Sequence, residues 1–234
     1  MRTLIIPCAG QSTRYKTKRP KYFLNHPSGD LMCFESIKGL PLDIFDKIIL
    51  VTLKKYLTKD VKQEIENNTK HFDNFELVSL NKNTTSASDT IAQTIEKIKL
   101  TGEIYIKDAD DYFDVKELKA NQVCIFSLNN TENITPGNKS YVRKNDDNQI
   151  LTIVEKKVIS SDFCCGLYSF KSATEFVKTF RKIKMVGEVY ISHIIYQMLL
   201  DGKQFYSNKV SNFIDWGTQK DWNLYLENYI EKKK

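Results

Sequence analysis

Three short stretches of the chain carry side chains whose types and spacing suit chemistry on anions. In the first, Cys8-Ala9-Gly10-Gln11-Ser12-Thr13-Arg14 follows an apolar run directly. Its small residues let backbone N–H groups approach an anion. Arg14 would add a rigid fork of donors and Lys21 a mobile point charge. The loop lacks the GK[ST] ending of a Walker A sequence, and Gly10 is its single glycine, so it is not GxGxxG either. In the second, Lys107-Asp108-Ala109-Asp110-Asp111 ends another apolar run. Asp108 and Asp110 are two apart, so in extended backbone they point to one side, where they could hold Mg²⁺, a hard cation that takes oxygen ligands. Asp111 would point the other way, as a surface charge. In the third, Phe213-Ile214-Asp215-Trp216-Gly217-Thr218, Asp215 leaves an apolar stretch just before a tight turn and could be a second metal ligand. Taken singly, these stretches also suit an ordinary βα turn, an acidic turn that caps a helix, and a helix-entry aspartate.

The elements around them alternate. Thr3–Pro7 is a continuous apolar run, as expected of a parallel strand covered on both faces. Ile48–Leu53, Phe75–Leu80, Glu103–Lys107 and Val123–Leu128 read as further strands. Lys59–Lys70 reads as a polar, exposed helix, and Thr90–Ile98 as a helix with Ile91, Ile95 and Ile98 on one face. This is a βα pattern with right-handed crossovers, which predicts a largely parallel sheet. Asn129–Lys139 is polar, holds Pro136 and Gly137, and reads as a loop. Tyr141–Arg143 and Ile150–Val154 flank Asp146-Asp147-Asn148 and predict a hairpin. Phe163–Phe170 is a strand carrying Gly166. Helices follow at Ala173–Phe180 and Val189–Leu200. A last one starts after Thr218, with Asp221 as its capping partner and Trp222, Tyr225, Leu226 and Tyr229 on its apolar face.

At 234 residues the chain is long enough for a large buried core, and 41% hydrophobic with 27% charged residues is a globular composition. No apolar run approaches the roughly 18–20 residues of a membrane span, and Pro7 and Gly10 interrupt the first one too early for a secretory signal. Thirty-five basic against 29 acidic residues give +6, spread along the chain. The basic loop Lys16–Lys21 has no interleaved aromatics, which favours an anionic small molecule over nucleic acid. The cysteines Cys8, Cys33, Cys124, Cys164 and Cys165 are odd in number and form no CxxC, so no disulfide framework is expected and a reducing cytoplasm fits. Of the adjacent pair Cys164 and Cys165, one should face the core. His26, His71 and His193 have no zinc-ligand spacing. His193, Trp216 and Trp222 read as packing residues, with Trp216 bordering the site.

In combination the stretches resemble the sugar-1-phosphate nucleotidyltransferases, the family that includes glucose-1-phosphate thymidylyltransferases and the short cytidylyltransferases of surface-polysaccharide pathways. Leu4–Arg14 followed by Arg19-Pro20-Lys21 is similar to the family's strand, AGxxxR and PK signature. Ser86-Ala87-Ser88-Asp89-Thr90 resembles the base- and sugar-contact stretch. Val154-Glu155-Lys156 resembles the EK motif, Cys165–Phe170 the GxYxF strand, Gly187–Ser192 the GExxI[ST] segment and Asp215–Thr218 the DxGT metal motif. The likeness runs from residue 3 to about 222, in the family's order.

The resemblance implies an α/β fold: an open, mostly parallel, doubly wound sheet in a Rossmann-like three-layer arrangement, with a small antiparallel hairpin region. It implies one nucleotidyltransferase domain over 1–234, with a nucleotide-binding half at about 1–128 joined by 213–218, and an acceptor-binding half at about 129–212. A nucleoside monophosphate would pass from an NTP to a phosphorylated acceptor, releasing pyrophosphate. Arg14, Lys21, Asp110, Lys156 and Asp215 would be catalytic. Ala9, Gly10, Gln11, Ser12, Thr13, Ser86, Ser88, Asp89 and Thr90 would bind the nucleotide, and Glu155, Gly166 and Glu188 the acceptor. Asp110 and Asp215 would hold Mg²⁺, with Asp108 binding the ion or orienting its waters. CTP is favoured, because Thr90 stands in the place of a thymidylyltransferase glycine. The acceptor would be a sugar phosphate, or else phosphocholine or another small head group. The expected partners are these substrates, not nucleic acid or a membrane, with the chain a monomer or homodimer. Two other readings stay open: a glycosyltransferase that uses a nucleotide-sugar, and a homologue that binds NTP without turnover.

Overall fold

The computed structural model describes residues 1–10, 15–131 and 134–231. The apolar runs are strands of one sheet: β1 (Arg2–Cys8), β2 (Lys47–Leu53), β3 (Phe75–Leu80), β4 (Glu103–Lys107), β6 (Gln122–Ser127) and β9 (Asp162–Phe170). Two strands come from less apolar sequence, β5 (Asp111–Asp114) and β11 (Ser211–Asp215), and they form a separate antiparallel pair. The expected hairpin is β7 (Ser140–Lys144) with β8 (Ile150–Glu155), and the polar β10 (Tyr206–Lys209) adds an edge.

The main sheet runs β10-β6-β9-β4-β1-β2-β3. β3, β2, β1 and β4 are parallel, and β6 pairs with β10 in parallel. β9 lies between β4 and β6 and runs antiparallel to both. Alternation along β1 shows the layers: Ile5 enters one core and Leu4 and Ile6 the other, all fully buried. On the first face lie α3 (Ala87–Ile98), α4 (Ala173–Lys182) and α5 (Ile191–Leu200), which contribute Ile91, Ile95, Phe176, Ile194 and Ile195. On the second lie the short α1 (Met32–Glu35) and α2 (Lys59–Thr69), with Phe34, Val61 and Ile65. This is the open, mostly parallel, three-layer sheet expected from the sequence. The final helix α6 (Gln219–Glu231) packs Trp222 beside the buried Trp216 and Tyr15.

Local chemistry sets the helix starts. Ser86 Oγ accepts from Asp89 N at 3.0 Å, so α3 begins at Ala87, earlier than its apolar periodicity indicates. Thr218 and Asp221 cap reciprocally: Asp221 Oδ2 accepts from Thr218 N at 3.1 Å, and Thr218 Oγ1 accepts from Asp221 N at 3.2 Å. His193 caps α5, its Nδ1 accepting from Tyr190 N at 3.2 Å. All five cysteines are buried as free thiols. Cys164 faces one core and Cys165 the other, so both members of that pair are interior.

Candidate active site

β1 and β4 end side by side, and a cleft of about 470 Å³ opens beyond their carboxyl ends. Residues from distant parts of the sequence line it: Gly10, Lys21, Asp108, Asp110, Asp215 and Gly217, together with Lys139, Glu155, Lys156, Gly166, Glu188 and Tyr190.

The β5–β11 pair assembles the acidic end. Asp215 lies opposite Asp111 in register, and Trp216 N donates to Asp110 O at 2.8 Å. The two aspartates converge on Gly217: a β-carbon there would sit 2.9 Å from Asp215 Oδ1 and 3.6 Å from Asp110 Oδ2. Each carboxylate meets a lysine. Lys21 Nζ donates to Asp110 Oδ2 and, at 3.1 Å, to Gly217 O. Lys139 Nζ lies 2.6 Å from Asp215 Oδ2. Burial alone would lower the Lys139 pKa, but Asp215, Asp111 and Asp110 outweigh it and hold the ammonium above its usual value.

Strand β4 stops at Lys107, so the expected extended alternation does not continue through Asp110; the chain turns instead. Asp108 and Asp110 both reach the cleft. Burial, reinforced by Asp110, pushes the Asp108 carboxyl up to about 6, with Lys107, Lys139 and Lys21 opposing. Asp111 is not the surface charge expected from alternation. It is buried against Lys107, because that lysine's ammonium lies inside the turn. The turn fits under β9 only because Gly166 has no side chain. A β-carbon there would meet Asp111 Oδ2 at 2.3 Å and Asp108 Cβ at 3.0 Å, and φ is +85°.

Also in the lining, Glu155 Oε2 accepts from Ser140 Oγ and, at 2.5 Å, from Ser192 Oγ. Lys156 sits at φ +55°, and its exposed ammonium donates to Tyr190 OH with Nζ 4.3 Å from the ring centre. Glu188 is exposed at the rim.

The cleft thus gathers Gly10, Lys21, Asp108, Asp110, Glu155, Lys156, Gly166, Glu188 and Asp215. Gln11, Ser12, Thr13 and Arg14 lie outside the described residues. Ala9 is buried. Of the base-contact stretch, Ala87 lines the cleft. Ser86, Asp89 and Thr90 spend their side chains on the α3 cap: Asp89 Oδ2 accepts from Thr85 N at 2.9 Å, and Thr90 Oγ1 donates to Ser86 O at 3.1 Å. Ser88 Oγ is buried without a partner. Sequence reasoning missed Lys139, which ends a polar loop and carries no periodic signal, and gave no role to Lys107 or Tyr190.

Among the described residues, no three Asp, Glu, His or Cys side chains gather into a metal-binding group. Asp110 and Asp215 do supply two carboxylates around one glycine. Mg²⁺ is commonly held by one or two carboxylates completed by water and substrate phosphates, so the donor set fits that ion.

No protein-family model matches the sequence, and no curated protein matches it in sequence. Solved structures do match in shape. A nucleoside-diphosphate-sugar pyrophosphorylase from Vibrio cholerae RC9 superimposes with a TM-score of 0.81 at 17% identity, covering 96% of this chain and 99% of that one. The inositol-1-phosphate CTP transferase from T. maritima gives 0.77 at 14% identity, covering 99% and 95%. The CTP:phosphocholine cytidylyltransferase from Streptococcus pneumoniae gives 0.71 at 14% identity, covering 97% and 99%. The chain has the fold of the sugar-phosphate nucleotidyltransferases. In this nucleotidyltransferase fold the cleft lies where open α/β sheets bind ligands, beyond the carboxyl ends of the parallel strands. No described helix is long and apolar enough to cross a membrane.

Proposed function

We propose that the protein is a Mg²⁺-dependent nucleotidyltransferase. It transfers a nucleoside monophosphate from an NTP, with CTP favoured, to a phosphorylated acceptor, with a sugar phosphate favoured, and releases pyrophosphate. The observation that carries this reading is the meeting of Lys21, Asp110 and Asp215 around Gly217, in one cleft with Glu155 and Lys156. Similar structures are named for CTP, UDP-glucose and thymidylyl transfer, so the choice of CTP rests on Thr90 in the stretch that resembles the base contact. One of them is named for phosphocholine, which keeps a small head group as the second choice of acceptor.

In the reaction an acceptor phosphate oxygen attacks the α-phosphorus, an O–P bond forms, and the bond to the β-phosphate oxygen breaks. A phosphate monoester has its second pKa near 6 and is largely a dianion at neutral pH. The protein therefore need not supply a general base. Its work is neutralisation and in-line placement. Asp110 and Asp215 would hold Mg²⁺, which supplies positive charge to the reacting phosphates when bound. Lys21 faces the β- and γ-phosphates, and Arg14 the charge that develops on the α-phosphate. Glu155 and Glu188 accept from acceptor hydroxyls, and Lys156 draws in the acceptor phosphate. On this reading residues 1–128 with 213–218 serve the nucleotide and 129–212 the acceptor. Five buried free thiols support work in a reducing compartment such as the cytoplasm.

The test is a matrix of five NTPs against phosphorylated sugars, phosphocholine and other small phosphates. The expected result is pyrophosphate release that needs both substrates. Release of a nucleoside diphosphate from a nucleotide-sugar would replace this reading with a glycosyltransferase, and NTP binding with no turnover by a binding homologue.

A further inference from the structure

Lys139 and Lys156 both line the cleft, and the backbone links them: Lys156 N donates to Lys139 O at 3.0 Å. Their ammonium groups go to different places. Lys156 ends on Tyr190 at the exposed rim. Lys139 pairs with the carboxylate of Asp215, with Nζ 5.3 Å from the Phe213 ring centre. Its side chain is 16% exposed and that of Asp215 11%. A cation thus rests on one of the two carboxylates assigned to the metal, and it belongs to a residue with no role so far. Asp215 cannot give the same oxygen fully to both an ammonium and a divalent cation, and the Lys139 chain is flexible enough to move a few ångströms when displaced.

Resting on the reading of the cleft as a nucleotidyltransferase site, we propose that Lys139 is a further catalytic residue. Its ammonium rests on Asp215 in the unliganded protein and transfers to phosphate oxygens of the bound nucleotide when a divalent cation takes that carboxylate. Lys139 thus fills two roles. Without substrate it neutralises Asp215 and competes with the cation. With substrate it adds a donor where the α-phosphate accumulates charge. Cation and nucleotide binding are coupled through it: each makes room for the other's partner.

The experiment is calorimetry on the full chain, with Mn²⁺ alone as the first probe and CTP in saturating Mn²⁺ as the second. Lys139→Met removes the charge and keeps the length, and Lys139→Gln is the second variant should the first fail to fold. The charge-free variant should bind Mn²⁺ roughly 10-fold more tightly than wild type and CTP roughly 10-fold more weakly, the scale of one charge-assisted hydrogen bond. Mn²⁺ affinity unchanged or weakened in the charge-free variant would overturn the competition, and unchanged CTP affinity would overturn the transfer. A wild-type chain that binds neither probe would instead remove the nucleotidyltransferase reading itself.

Discussion

Lys107 and Asp111 form an ion pair shut away from water: Nζ lies 2.5 Å from Oδ1, with the two side chains 0% and 7% exposed. The same ammonium donates to Asp108 O at 2.8 Å and Asp111 O at 3.1 Å. It therefore ties together the turn that presents Asp110. Removing one partner of a buried pair costs about 3–5 kcal/mol where the other stays charged. Burial pushes the Asp111 carboxyl up to about 8 even against the pull of Lys107, so without that lysine it takes up a proton at neutral pH. Lys107→Met should therefore cost less than that range in urea denaturation at neutral pH, and Lys107→Met with Asp111→Asn should recover most of it. A double variant as unstable as the single would show that packing, not charge, sets the cost.

Gly217 gives a sharper separation of stability from cation binding. The β-carbon of Gly217→Ala would press on the carboxylate end of Asp215, which can swing aside. The melting temperature should change by no more than a few degrees. Mn²⁺ affinity should fall by about 10- to 100-fold, as when a ligand loses its orientation. Unchanged affinity would show that Asp215 does not bind the cation from this position.

Asp110→Asn and Asp215→Asn should each lower kcat by roughly 10²–10⁴-fold, a barrier increase of about 3–5 kcal/mol. Steady-state pyrophosphate release in saturating Mg²⁺ measures this. Near-normal turnover of either variant would remove that aspartate from the proposed metal pair.

His26 should make the fold acid-sensitive. Its ring is buried between Ser28 Oγ and Tyr225 OH, each 2.8 Å from a ring nitrogen, and stacks on Tyr225. Burial pushes its pKa below 6.5, with Glu35 opposing. The unfolded chain therefore binds the proton more readily than the native one. The stability this contributes is complete above about pH 6.5 and is lost as the pH falls through the lower native value. Wild type should lose stability between pH 7 and 5 relative to His26→Gln. Parallel curves for the two proteins would remove His26 as the cause.

The strands read correctly from sequence were those whose burial on both faces demands unbroken apolar runs, as in Ile48–Leu53 and Phe163–Phe170. β5 and β11 escaped because Asp-Tyr-Phe-Asp and Ser-Asn-Phe-Ile-Asp mix charge with apolar residues on a small two-stranded ribbon. Asp110 and Asp215 were legible through local motif order. Lys139 and the buried state of Asp111 were not, because each depends on a partner that only the tertiary fold supplies: Asp215, 76 residues on in the sequence, for one, and Lys107 turned inward under β9 for the other. In the Ser86–Thr90 stretch, read from sequence as a nucleotide contact, the hydrogen bonds go to starting a helix, a use that residue type alone does not distinguish from ligand contact.

The antiparallel strand β9 has a consequence for how the molecule is made. It separates β4 from β6, two strands that emerge from the ribosome long before it. The outer backbone edge of β4 cannot be filled until Phe170, its partner through Ile104, has been synthesised. The parallel half of the sheet must therefore wait with an open hydrogen-bonding edge while more than sixty residues are added after Lys107. Open edges invite pairing with other chains, and contacts so distant in sequence form slowly. Nascent chains stalled before residue 162 should therefore be more prone to aggregate than those released after residue 170.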